Sequence, residues 1–256
     1  MGLAGKTVMI TGASKGLGAR ACRVLAQAGA AVYGLARSED ELAALKSELD
    51  GDGLDFDFSV VDLIADDAPS VLSELMRERV PDVFINNAGA TRPAAFQDVT
   101  VEDFDAIMRL NLKAGFFASQ MAVKAMLAAP EHRETRSVIH MSSMLGRVAL
   151  PGRAVYAATK HALEGLTKAM ALDLAADGIR VNSICPTYIE TPMTRPLMEN
   201  QAFKAFVAQR MPLSTDAQPI GKVGDLDGAL LYLSDSSLSA FVTGSNIVVD
   251  GGWSAQ

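Results

Sequence analysis

Seven short apolar runs, each separated from the next by a stretch rich in helix formers, leave this chain few ways to fold. The runs fall at 7–10, 31–33, 58–61, 83–85, 137–140, 181–184 and 247–249. They read as continuous apolar segments rather than as alternating ones, which is the pattern of strands buried on both faces of a parallel sheet. Helical stretches lie between them at 19–27, 39–49, 69–79, 101–129, 153–176 and 226–233, and Gly29 closes the first of these before the second strand. Strand and helix in alternation predict a doubly wound, Rossmann-like α/β sandwich, a mostly seven-stranded parallel sheet with helices on both faces and right-handed crossovers. In such a sheet the ligand lies beyond the carboxyl ends of the strands, so the residues just after each strand matter most for chemistry.

Composition narrows the class further. With 256 residues, 49% of them hydrophobic, the chain can bury one large core, and no Pro/Gly/Ser-rich linker divides it, so a single domain over 1–256 is expected. A net charge of −7 without any basic cluster argues against a nucleic-acid partner. The apolar runs are too short to span a bilayer, the N-terminus has no signal-peptide core, and Lys6 stands where a myristoylation motif wants Ser or Thr. Cys22 and Cys185 lie far apart without CxxC spacing, so a disulfide framework is not expected and a reducing cytoplasm fits. His132, His140 and His161 lack metal-ligand spacing and are read as structural or surface residues, with no metal site.

The first strand runs into Thr11-Gly12-Ala13-Ser14-Lys15-Gly16-Leu17-Gly18, after which a helix begins. Glycines there let the backbone turn sharply and approach a pyrophosphate, while the helix N-terminus offers free N–H groups and the positive end of its dipole. A dinucleotide site is the reading this position supports. At the end of the second strand an NAD enzyme usually presents a carboxylate to the adenosine ribose, and this chain has Ala36-Arg37 instead. Arg37 can form charge-assisted bonds with the 2′-phosphate of NADP(H), and Lys15 can add a second positive charge, so NADP(H) is the expected cofactor.

Farther along, Tyr156 and Lys160 are four apart in a helical stretch and share a face. Together with Asn86-Asn87-Ala88-Gly89, Asn111, Ser143, Pro186 with Thr191, and Val249-Asp250-Gly251-Gly252, they make the whole chain resemble the short-chain dehydrogenase/reductase family, in its compact single-domain branch. That resemblance implies a hydride moved between the nicotinamide and a carbonyl or alcohol, with Tyr156 as acid/base and Lys160 both lowering the tyrosine pKa and holding the nicotinamide ribose. Ser143, thirteen residues before Tyr156, would donate to the substrate oxygen, with Ser142 as the alternative. Asn111 would shape its helix and support a water chain toward Lys160. Cofactor contacts are implied for Gly12, Ser14, Lys15, Gly16, Leu17, Gly18 and Arg37, and equally for Asp62, Leu63, Asn87, Gly89, Ile189 and Thr191. The family commonly has Pro-Gly where this chain has Pro186-Thr187.

The substrate is a small carbonyl or alcohol compound, and the variable lid expected at 187–223 carries Met193, Leu197, Met198, Phe203, Phe206 and Met211 as candidate pocket residues. The resemblance points to 3-oxoacyl-acyl-carrier-protein reductases, with an NAD-dependent sugar or polyol dehydrogenase as the alternative enzyme and a non-catalytic NADP-binding regulator as the alternative of another class. Arg92 and Arg153 are candidates to meet an acidic substrate. Family members commonly form homotetramers through the two long helices, which is the assembly expected here.

Overall fold

The computed structural model describes residues 2–129, 135–215 and 218–255; His132 lies outside them. Strands β1 (Thr7–Thr11), β2 (Ala31–Ala36), β3 (Phe56–Val60), β4 (Val83–Asn86), β5 (Arg136–Met141), β6 (Ile179–Pro186) and β7 (Asn246–Val249) form one sheet in the order β3-β2-β1-β4-β5-β6-β7. Every pairing is parallel, from Val8 opposite Val32 and Val83 to Pro186 opposite Val249. Successive side chains leave opposite faces of a strand. Val8 and Ile10 therefore pack with Leu25, Leu42, Ile139 and Ile184 on one side, while Met9 packs with Phe84, Val138 and Val181 on the other. Burying a side chain of this size stabilises the fold by roughly 1.5–3 kcal/mol, which is why both faces of the central strands are apolar. Edge strand β3 starts at Phe56, earlier than its expected start at Phe58, because an edge strand needs only one apolar face and tolerates Asp57, whose carboxylate pairs with Arg79 at 3.2 Å.

Helices α1 (Gly16–Gln27), α2 (Glu39–Gly51), α3 (Ala68–Glu78), α4 (Val101–Met108), α5 (Gly115–Ala128), α6 (Ala154–Leu174), α7 (Gln201–Arg210) and α8 (Asp227–Ser234) cover the sheet and its carboxyl edge. The single helix expected over 101–129 is instead two, joined by a π-helical segment at Arg109–Ala114 that contains Asn111. A wider turn of this kind inserts a residue into the ladder and commonly marks a functional position. The expected lid does contain a helix, α7, which the sequence reading did not assign; Asn200 caps it by accepting from Phe203 N at 3.1 Å. Thr187 needs no glycine-like geometry, since no described residue other than glycine has a positive φ.

His140 on β5 is a core residue. It is fully buried, and Asn86 Nδ2 on β4 donates to its Nδ1 at 3.2 Å. Burial, with the Lys160 charge adding to it, pushes its pKa down to about 4. An unfolded imidazole takes its proton near pH 6.5, the folded one only near 4, so the contribution is complete above 6.5 and disappears as pH falls through 4. A depression of that size corresponds to about 3 kcal/mol. Urea unfolding at pH 7 and pH 4 is expected to show the loss, and His140→Gln to remove about that much of the difference; an unchanged difference in the variant would exclude His140 as its source.

Candidate active site

The strand order reverses between β1 and β4, and the loops leaving the carboxyl ends of β1 through β6 meet there around a cavity of about 580 Å³. Its wall runs from Gly12 through Arg37 and Asp62 to Asn87, Ser143, Tyr156 and Thr191. A cleft of this volume is in the range of cofactor sites.

The floor at one end is the turn from β1 into α1. Gly12 and Gly16 have φ of 65° and 58°, a region that side chains with a Cβ seldom enter. A Cβ on Gly18 would lie 2.0 Å from the Gly12 carbonyl oxygen, so α1 is seated directly against the turn. Asn87 Nδ2 ties this arrangement to β4 by donating to the Thr11 and Gly12 carbonyls at 3.0 and 3.1 Å. Lys15 stands at the N-cap of α1 without capping it through its side chain, which leaves first-turn N–H groups to be satisfied by an anion. Ser14, Leu17 and Leu63 line the same end.

Charge at this end differs from the sequence expectation in one respect. Arg37 is exposed at the cavity wall, as anticipated, but Lys15 is not a free second cation: its Nζ donates to Glu41 Oε1 at 3.1 Å. Ser14 Oγ donates to the other oxygen of the same carboxylate at 2.8 Å. The Ser14 hydroxyl, and to a lesser degree Lys15 and Ser38, hold Glu41 below the usual carboxylate range. Glu41, in the first turn of α2, went unnoticed in the sequence because an exposed helical acid there is ordinary.

At the other end Tyr156 and Lys160 project from α6, and Ser143 follows β5. Ser143 Oγ donates to the Pro186 carbonyl at 3.4 Å and accepts from Leu145 N at 3.2 Å, and its hydroxyl is near enough to Tyr156 to draw the phenol pKa down. Ser142 follows the same strand and also lines the cavity, while the Ser143 hydroxyl is the one that acts on the Tyr156 pKa. Lys160 Nζ is buried, donates to the Met141 carbonyl at 2.8 Å, and lies 5.5 Å from the centre of the Tyr156 ring. Asn111 Oδ1 accepts from Ala90 N at 2.8 Å, and its Nδ2 donates to Ala90 O at 2.9 Å and Thr159 Oγ1 at 3.3 Å. The π turn thus clamps the Asn-Asn-Ala-Gly loop to α6, and a Cβ on Gly89 would come within 3.3 Å of Asn111 Oδ1.

Burial dominates the electrostatics of Tyr156. Burial raises its pKa above the ordinary phenol value, opposed by the Ser143 hydroxyl and the Arg153 charge. Lys160 is itself pushed down to about 8, by burial first, with Glu164 opposing. Its ammonium uses one of three donors on Met141 O, and with its pKa raised the Tyr156 phenol keeps its proton near neutral pH.

Further corrections concern the lid. Met193 and Leu197 line the cavity, whereas Met198, Phe203, Phe206 and Met211 belong to an apolar cluster that packs segment 187–223 against Met144, Leu145, Ala157 and Trp253. Phe206 meets the Trp253 ring edge-on at 5.8 Å. Ile189 and Thr191 do line the cavity, and Thr191 Oγ1 is 3.1 Å from Thr194 Oγ1. Arg92 is paired with Asp103 and does not line the cavity, while Arg153 is in the wall. Both cysteines are buried thiols, and burial pushes Cys185 up to about 12, which keeps it inert.

The doubly wound sheet, the glycine turn at its switch point and the half-buried tyrosine beside a buried serine and lysine define a dinucleotide-cleft α/β protein with an acid/base centre. The family model for short chain dehydrogenases matches residues 6–202, and the chain belongs to that family. It is an oxidoreductase of CH–OH and C=O groups. The gluconate 5-dehydrogenase of Gluconobacter oxydans is 34% identical over 98% of this chain and 95% of its own. A 3-oxoacyl-acyl-carrier-protein reductase of Thermotoga maritima is 36% identical over 98% of this chain and 99% of its own. The crystal structure of a gluconate 5-dehydrogenase from Burkholderia cenocepacia in complex with NADP and tartrate superposes with a TM-score of 0.90 at 34% identity, covering 99% of this chain and 97% of that one.

Proposed function

We propose that the protein is an NADP(H)-dependent carbonyl reductase that also oxidises the matching secondary alcohol. The observation that carries this is the continuity of one cavity from Arg37 and the glycine turn to Tyr156, Ser143 and Lys160. Bound NADP(H) supplies the hydride to the carbonyl carbon, or takes it from the alcohol carbon. Tyr156 gives its proton to the carbonyl oxygen while Ser143 donates a hydrogen bond to that oxygen and steadies its developing charge. Lys160 then restores the tyrosine proton and holds the nicotinamide ribose, with Asn111 fixing the loop beneath.

Gly12, Gly16, Leu17 and Gly18 would receive the pyrophosphate. Ser14, Lys15 and Arg37 would receive the 2′-phosphate, Asp62 and Leu63 the adenine, Asn87 and Gly89 the ribose, and Ile189 and Thr191 the carboxamide. The segment 187–223 acts as the substrate lid of a single domain. A homotetramer would cover Phe104, Phe116 and Phe117, which are exposed along α4 and α5.

The test follows NADPH and NADH absorbance separately while purified protein is offered β-ketoesters, diketones and ketoses, and polyols in the reverse direction. Turnover with NADPH well above that with NADH is the expected result. Turnover only with NAD and polyols would instead support a polyol dehydrogenase, and tight NADPH binding with no turnover a regulator.

A further inference from the structure

The carboxylates lining the cavity are confined to one end, where Lys15 and Arg37 also lie. Glu41 and Asp62 both sit at the adenosine end, and the reaction end holds only Arg153 and Lys160. Lys160 is buried and engaged with a backbone carbonyl. Arg153, three residues before Tyr156 at the N-cap of α6, is half-buried and has neutral neighbours: it donates to Thr91 Oγ1 at 3.1 Å and stands near enough to the Tyr188 hydroxyl to oppose the rise that burial gives its pKa. It forms no salt bridge with any described carboxylate. A guanidinium has five donors in a planar fork, and two hydroxyls leave most of it unsatisfied. Leu145, Tyr188, Met193 and Leu197 line the same cavity with apolar surface, and such surroundings strengthen an ion pair.

We infer that Arg153 is the substrate-binding cation of this enzyme and that the substrate is a small hydroxy or oxo acid whose carboxylate it grips beside the reacting carbon. The inference rests on the reductase reading above. A single guanidinium matches a monoanion in charge and in its two parallel bonds, and the other cation at this end, Lys160, is buried on the Met141 carbonyl rather than set beside Arg153 as a phosphate dianion would call for. Because Arg153 precedes Tyr156 by less than one helical turn, a carboxylate held on it puts a carbonyl a few bonds away within reach of Tyr156 and Ser143.

Matched pairs differing only in the acid group test this: gluconate against D-glucitol with NADP, and acetoacetate against ethyl acetoacetate with NADPH. Each is run with wild type, Arg153→Gln and Arg153→Lys, and quenching of bound-NADPH fluorescence by gluconate and tartrate is recorded alongside. Charge-assisted bonds of this kind predict a kcat/KM ratio of acid over neutral partner of roughly 10–100, carried by KM. Arg153→Gln should bring the ratio close to one, and Arg153→Lys should leave it between. A wild-type ratio near one, or equal losses on acid and neutral substrates in Arg153→Gln, overturns the inference and leaves the reductase reading standing. NADPH binding with no response to any carboxylate overturns it likewise, whereas absence of NADPH binding removes the reductase reading itself and this inference with it.

Discussion

Tyr156→Phe is expected to lower kcat about a thousand-fold in both directions while NADPH affinity falls by no more than about tenfold. General acid catalysis by a positioned side chain contributes 10²–10⁴-fold, and the substituted ring keeps the volume that fills the cavity wall. Affinity changes little because the hydroxyl offers the cofactor one hydrogen bond, worth about 0.5–1.5 kcal/mol. Lys160→Met should behave differently, losing NADPH affinity as well as kcat, since the ammonium is the one cation placed to serve both the ribose and the proton supply. The two variants are compared by single-turnover absorbance and by NADPH titration. A Tyr156→Phe enzyme within tenfold of wild-type kcat would show that some other group protonates the substrate oxygen. Because burial holds the phenol above its usual pKa, reduction should proceed undiminished at neutral pH, where the proton to be donated is in place.

Parts of this arrangement could be read from the chain and parts could not, and the division follows the range of the forces involved. The central strands were legible because two buried faces demand uninterrupted apolar runs, as in Val83-Phe84-Ile85. The glycine turn was legible because Gly12 and Gly16 satisfy a local dihedral requirement. Edge strand β3 was half-missed since Phe56-Asp57-Phe58 mixes charge with apolar residues. Helix α7 was missed because its apolar residues pack on Trp253 and Tyr188, far away in sequence. The unfavourable placement of Asn111 in a helix was visible, but the π turn that accommodates it depends on Ala90, in a different loop. Neither the Lys15–Glu41 pair nor the different fates of Arg92 and Arg153 leave any local trace, being settled by which helix the fold brings alongside.

Arg37→Asp is expected to swing cofactor preference by a hundred-fold or more. Hydrogen bonds to a charged group contribute about 1.5–3 kcal/mol, so losing them costs NADPH roughly 10–100-fold, and the new carboxylate adds repulsion against the 2′-phosphate. NADH, which has a hydroxyl there, should bind at least as well as before, because the aspartate can accept from it. Glu41 supplies the internal control. Its carboxylate already occupies Ser14 and Lys15, so the 2′-phosphate must share or displace it before Lys15 can contribute. Glu41→Gln removes that competing charge while retaining a hydrogen-bonding side chain of the same length, and should tighten NADPH several-fold with little effect on NADH. Fluorescence titration of both cofactors into wild type and the two variants gives the answer, with 2′,5′-ADP against 5′-AMP as probes that lack the nicotinamide. If Arg37→Asp leaves the NADPH to NADH ratio where it was, the phosphate is not held at this end of β2. If Glu41→Gln alone has no effect, Lys15 and Ser14 remain committed to the protein rather than to the cofactor, and Arg37 carries the selectivity by itself.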